Sequence, residues 1–261
     1  MSTDHVLYSI RDDGTAIATL NRPEARNALT FEMYERLAEI CRGIAPGGAI
    51  KVLIVTGAGT KAFAAGTDIS AFRDFTTREQ AIAYEQKMDG VLGAIETCAV
   101  PTIAAIAGAC TGGGGAIAAC CDIRIATRDM RFGFPIARTL GNCLSMTNLA
   151  RLAELIGPAR TKEMIFTARL IEAEEALRIG LVSEIHDDHA ALMVRAEALA
   201  RVLAAHAPLT LRATKEGLRR LRNTGAVGRD HDLIALCYTS ADFREGMDAF
   251  LSKRAPQWNG R

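Results

Sequence analysis

Two short segments concentrate glycine where main-chain N–H groups can be turned toward an anion. The first is Phe63-Ala64-Ala65-Gly66-Thr67-Asp68-Ile69 and the second runs from Gly108 to Gly115. Each follows an apolar run that reads as a strand, and the second opens what reads as a helix of small residues, an arrangement that presents backbone donors at a helix N-terminus. Neither segment carries the lysine and hydroxyl of a phosphate-binding P-loop. The first lacks G-x-G-x-x-G spacing, so a dinucleotide-binding fold is disfavoured.

The other chemistry-bearing residue types are scattered. His5, His186, His189, His206 and His231 lie outside both glycine segments, and no metal site is readable from their spacing. The seven cysteines, at 41, 98, 110, 120, 121, 143 and 237, form no C-x-x-C pair. An odd number without a disulfide framework points to a reducing, cytoplasmic setting.

These residues must be positioned by elements, and the pattern of elements is clear. Val6 to Ile10 and Thr15 to Leu20 flank Asp12-Asp13-Gly14 as a hairpin. Thr30 caps a helix with Met33, Leu37, Ile40, Cys41 and Ile44 at helical spacing, ended by Pro46-Gly47-Gly48. A strand at Val52 to Val55 follows, then a helix from Arg78 to Thr97, a strand from Thr102 to Ala107 and a small-residue helix to Cys121. A strand at Ile123 to Ala126, a helix from Leu144 to Ile156 closed by Gly157-Pro158, and a strand at Leu181 to Ile185 complete the alternation. Alternating strands and helices predict an α/β fold with buried parallel strands, and beyond Asp187 the pattern is helical only. We therefore expect a core over 1–190 and a helical region over 191–261 within one functional unit, with no internal repeat of fixed period.

Composition narrows the classes. With 261 residues, 49% hydrophobic and 23% charged, the chain is neither disordered nor fibrous. Its 31 basic and 30 acidic residues leave a net charge of +1, without the basic excess of a general nucleic-acid binder. The N-terminus reads as neither a signal nor a transit peptide. Thr97 to Cys121 is uncharged over 25 residues, yet Pro101 and the glycines at 112–115 would break a membrane-spanning helix.

Four stretches then match one family. NRPEARNAL at 21–29, KAFAAGTDI at 61–69, GGGGAIAACCDIRIA at 112–126 and EGMDAFLSKR at 245–254 make the chain resemble the crotonase superfamily, the enoyl-CoA hydratase/isomerase family, over almost its whole length. The resemblance implies a spiral of ββα units, a C-terminal helical region for trimerisation, and an acyl-coenzyme A thioester as substrate, with no cofactor beyond the coenzyme A it carries. It implies a homotrimer or dimer of trimers, while the charge balance and the broken apolar run argue against a nucleic-acid or membrane partner. It places an oxyanion hole on the backbone N–H groups of Thr67 and Gly113, and contacts to substrate or coenzyme A at Ala25, Arg26, Phe63, Ala65, Gly66, Asp68, Ile69, Ser70, Gly112, Phe250 and Lys253. Asp68 reads rather as a loop-fixing carboxylate than as a catalyst.

The resemblance fails at two positions. Where the family's hydratases carry paired glutamates, this chain has Ala116 and Ile136, and neither can transfer a proton. Cys143, beside Arg138 in sequence, is a candidate thiol for a branch chemistry such as thioester hydrolysis, while Tyr84, Glu85 and Asp89 are further candidates on the preceding long helix. The alternative to an enoyl-CoA hydratase- or isomerase-like enzyme is an acyl-CoA-binding homologue without turnover.

Overall fold

In the computed structural model, which describes residues 4–68, 77–224 and 231–261, strands β1 (Val6–Ile10) and β2 (Thr15–Leu20) form the expected antiparallel hairpin, with Val6 opposite Leu20. Helix α1 (Phe31–Gly43) begins where Thr30 Oγ1 accepts a 3.3 Å hydrogen bond from Met33 N, and it buries Met33, Tyr34, Leu37, Ala38, Ile40 and Cys41. That stripe is the sequence periodicity in three dimensions.

From there the chain repeats one unit three times. Strand β3 (Val52–Gly57) leads to the short β4 (Ala62–Ala64) and then α2 (Arg78–Glu96). Strand β5 (Thr102–Ile106) leads to β6 (Ala109–Thr111) and α3 (Gly113–Cys120). Strand β7 (Ile123–Thr127) leads to β8 (Arg131–Gly133), a 3-10 turn at Pro135–Ala137 and α4 (Met146–Thr167). Each first strand joins one sheet and each second strand another, so both sheets grow in step and the chain winds as a ββα spiral. A β9 strand (Ile171–Glu172), α5 (Ala173–Arg178) and β10 (Glu184–His186) finish the core. The six-stranded sheet runs β1-β2-β3-β5-β7-β10, parallel except at β1–β2, and the four-stranded sheet runs β4-β6-β8-β9, antiparallel only at β8–β9.

Both faces of the larger sheet are covered at its centre, which is why β3 and β5 are buried throughout and read as continuous apolar runs rather than alternating ones. Leu53, Val55, Ala104 and Ile106 face α1 and α3. Val52, Ile54, Ile103, Ala105 and Ile125 face Leu192, Ala196 and Ala200 of α6 (His189–Ala204). Helices α7 (Pro208–Thr224), α8 (His231–Tyr238) and α9 (Ala241–Leu251) follow.

One expectation is met in part and one needs correction. Gly157 leaves helical geometry at φ 79° and closes the first piece of α4 as expected, but a second helical piece follows directly to Thr167. Pro158 sits at the start of the second piece, where its missing N–H costs nothing. The last strand is Glu184–His186 rather than Leu181 to Ile185, because Leu181 and Val182 bury themselves in the turn after α5.

Candidate active site

The spiral brings both glycine segments to one cavity. Ala65, Gly66 and Thr67 after β4, and Thr111, Gly112 and Gly113 at the start of α3, line the same pocket. Gly66 (φ 104°) and Gly112 (φ 52°) occupy backbone regions that side chains avoid. A Cβ on Gly112 would stand 3.5 Å from Gly66 Cα, so the two turns approach main chain to main chain.

The hydrogen bonds around each turn fix where its amides aim. Gly66 O accepts from Leu29 N at 2.8 Å and Asp68 N donates to Leu29 O at 2.8 Å. In a trans peptide the C=O and the following N–H are antiparallel, so the Thr67 N–H points away from Leu29. Gly112 O accepts from Ala116 N at 2.9 Å, inside the first turn of α3. By the same rule the Gly113 N–H leaves the helix at its N-terminal end, where first-turn amides have no intrahelical acceptor and the helix dipole is positive.

A second strand of main chain steadies the first turn. Arg22 Nη1 pairs with Asp68 Oδ2 at 3.1 Å and donates to Ala28 O at 2.7 Å, and Ala65 N donates to Arg26 O at 3.0 Å. Asp68 thus fastens the loop from Arg22 to Leu29 onto the one carrying Thr67. Asn27, fully buried, spans the same gap with Nδ2 donating to Ala58 O at 3.0 Å and Ala62 O at 2.7 Å.

Polar groups enter the cavity from α1 and α2. The Tyr34 and Thr67 hydroxyls lie 2.8 Å apart, and Tyr84 lines the cavity beside them. Burial pushes both phenols above the usual tyrosine range, so both stay protonated at neutral pH. Glu85, half-buried beside Tyr84, also lines the cavity, and burial, reinforced by the charge of Asp89, holds its carboxyl above the usual carboxylate range. Met88, Leu92, Phe134 and Leu144 supply apolar wall.

Ala116 and Ile136, the positions where the family carries carboxylates, both line this cavity. Cys143 is exposed, and although Asn142 and Leu144 line the cavity, Cys143 is not part of its wall. Arg26 is exposed, Ala25 half-buried, and Phe63 lies wholly in the core. Phe250 is exposed on α9 and Lys253 just beyond it, neither on the cavity wall. Ile69 and Ser70 lie outside the described residues. Tyr34 was missed by the sequence reading. Its signal was a phenol three residues before Leu37 and seven before Cys41, the polar tip of an apolar stripe. Among the described residues no group of three His, Cys, Asp or Glu is placed to hold a metal, and no helix is long and apolar enough to cross a membrane.

A ββα spiral with two glycine turns meeting over one cavity defines a recognisable class, and comparison with known proteins agrees. The family model described as enoyl-CoA hydratase/isomerase matches residues 11–261. The chain is 34% identical over 252 residues to the short-chain-enoyl-CoA hydratase of Clostridium acetobutylicum, covering 94% of each. It is 33% identical over 252 residues to the crotonyl-CoA hydratase of Syntrophomonas wolfei, again covering 94% of each. A crystal structure of an enoyl-CoA hydratase/carnithine racemase from Magnetospirillum magneticum superposes with a TM-score of 0.89 at 36% identity, over 100% of this chain and 97% of that one. The chain therefore belongs to the enoyl-CoA hydratase/isomerase family of the crotonase superfamily.

Proposed function

We propose that the protein processes an acyl-CoA thioester by holding the thioester carbonyl oxygen between the N–H groups of Thr67 and Gly113. The observation that carries this reading is the shared cavity on which those two outward-turned amides border. When a proton leaves the carbon next to the carbonyl, charge develops on the oxygen, and preorganised donors stabilise that enolate more than the ground state. The neighbouring hydroxyl pair of Tyr34 and Thr67 keeps the first turn in place. Coenzyme A enters as part of the substrate, along the turn from Ala25 to Gly66, with Asp68 as its fastener.

Water addition by paired carboxylates does not suit a cavity with Ala116 and Ile136 on its wall, which favours proton transfer within the acyl group. The same two residues support the second reading, an acyl-CoA-binding protein without turnover. The separating experiment incubates the protein with enoyl-, aroyl- and 3-hydroxyacyl-CoA compounds and follows product masses. A changed retention at constant mass is expected. Binding with no product across the panel would favour the second reading, and no binding would reject both. Exposed Phe250 and Leu251 on α9, 83% and 72% accessible in a single chain, support assembly into a homotrimer or a dimer of trimers, which light-scattering mass would test.

A further inference from the structure

We propose that Glu85 is the acid–base group of this cavity, moving the proton that the absent carboxylates at Ala116 and Ile136 cannot. The inference rests on the acyl-CoA reading above. Among the described residues Glu85 is the only carboxylate on the cavity wall. Its placement is dictated by helix geometry: Glu85, Met88 and Leu92 recur at i, i+3 and i+7 on α2, and all three border the cavity. The other polar side chains on that wall, such as Asn142, Asn148 and Thr139, do not titrate near neutrality.

The groups facing Glu85 support the role. Asp89 lies one turn further along the same helix, the Ser145 main chain approaches Glu85 from the segment before α4, and the Tyr34 and Tyr84 phenols stand near it. Asp89 is itself engaged by Ser145 Oγ, which donates to Asp89 Oδ1 at 2.7 Å and also caps α4. One carboxylate is thus tied into structure while the other faces the cavity. Burial raises the proton affinity of Glu85, the adjustment a general base working near neutral pH requires.

The step balances without another reactant. The Glu85 carboxylate takes a proton from the carbon next to the thioester carbonyl. The C–H electron pair becomes a carbon–carbon π bond while the carbonyl π pair moves to oxygen, held there by the two amides. In the return step the oxygen pair restores the C=O, and protonated Glu85 delivers the proton to a carbon of the same conjugated system. With a β,γ-unsaturated thioester the proton comes back at the γ carbon and the product is the α,β-unsaturated isomer. With a saturated thioester the only trace is exchange of α hydrogens with solvent.

The test compares wild type, Glu85→Gln and Glu85→Asp with butyryl-CoA in D2O, reading deuterium incorporation by mass and affinity by calorimetry. Glu85→Gln is expected to slow exchange by at least about 100-fold with affinity changed less than about threefold, and Glu85→Asp to recover part of the rate. The wild-type rate should rise with pH through an inflection above the usual carboxylate range, absent from Glu85→Gln. If Glu85→Gln exchanges within about threefold of wild type, Glu85 is not the base and the thioester reading stands. A parallel loss of affinity and exchange would make Glu85 a structural residue and overturn the assignment. Wild type that binds butyryl-CoA without exchange overturns the assignment and the enzymatic reading together, and wild type that does not bind it removes the thioester reading as well.

Discussion

The Gly113 amide can be isolated experimentally because proline and alanine differ there in one relevant respect. Gly113 is the first residue of α3, a position where proline is at home because its N–H has no helical acceptor. Any Cβ at this position falls inside contact distance of the Tyr34 hydroxyl and 3.0 Å from Thr67 Oγ1, so both substitutions disturb the Tyr34–Thr67 hydroxyl pair alike. Only proline also removes the donor. Gly113→Pro should therefore turn over acyl-CoA about 10² to 10³ more slowly than Gly113→Ala, while the two unfold at similar temperatures. Equal rates for the pair, measured with whichever thioester the panel identifies, would remove Gly113 from the proposed oxyanion hole.

Among the elements, the loop from Asn21 to Ala28 matters most for the site, since its only regular structure is a 3-10 turn at Pro23–Ala25 yet it holds the Thr67 turn in register. Asn27 sustains it in a left-handed conformation (φ 54°), with Oδ1 accepting from Arg22 N at 2.9 Å and Nδ2 serving two carbonyls. Asn27→Ala strands those buried groups and should cost about 2 to 4 kcal/mol, read from urea unfolding, with thioester binding weakened because the Ala65 and Leu29 bonds slacken. The sequence announced this loop only as a cluster of turn formers. Long elements were readable because their stripes repeat: α1 from Met33 to Ile44, and β3 and β5 as unbroken apolar runs. The second sheet was not, because β4, β6, β8 and β9 have only two or three residues each, too few to express a period. The ββα repeat was implied by the family resemblance but not visible as a period, since its first strands begin at unequal intervals, at Val52, Thr102 and Ile123. In the site, Gly66 and Gly112 were legible because positive φ demands glycine, whereas Ala116 and Ile136 became informative only against the family's pattern.

At the scale of the whole molecule, one buried ion cluster joins the spiral to the C-terminal helices. Glu96, at the end of α2, receives Arg151 from α4 at 2.8 Å and Arg222 from α7 at 2.5 Å. The Arg151 and Arg222 side chains are only 3% and 10% exposed, and Arg151 also donates to Asn148 Oδ1 at 2.9 Å. Burial alone would raise the Glu96 pKa, but the hydrogen bonds and charges of the two guanidinium groups outweigh it and leave the folded value below 4.5. A carboxylate with a depressed folded pKa stabilises the native state above its unfolded pKa and loses that contribution as pH falls through the folded value. Replacing it by Glu96→Gln leaves buried Arg151 without its counter-charge and Arg222 with only Glu154 at 3.4 Å, a loss of about 3 to 5 kcal/mol at neutral pH by analogy with other broken buried pairs. The loss should not be uniform in pH. Urea midpoints of wild type and Glu96→Gln should differ by a constant amount from pH 7 down to about 5, then converge below pH 4.5 as Glu96 itself protonates. A gap that stayed constant into acid would mean the cluster is held by packing rather than by charge, and that acid releases the C-terminal helices through some other group.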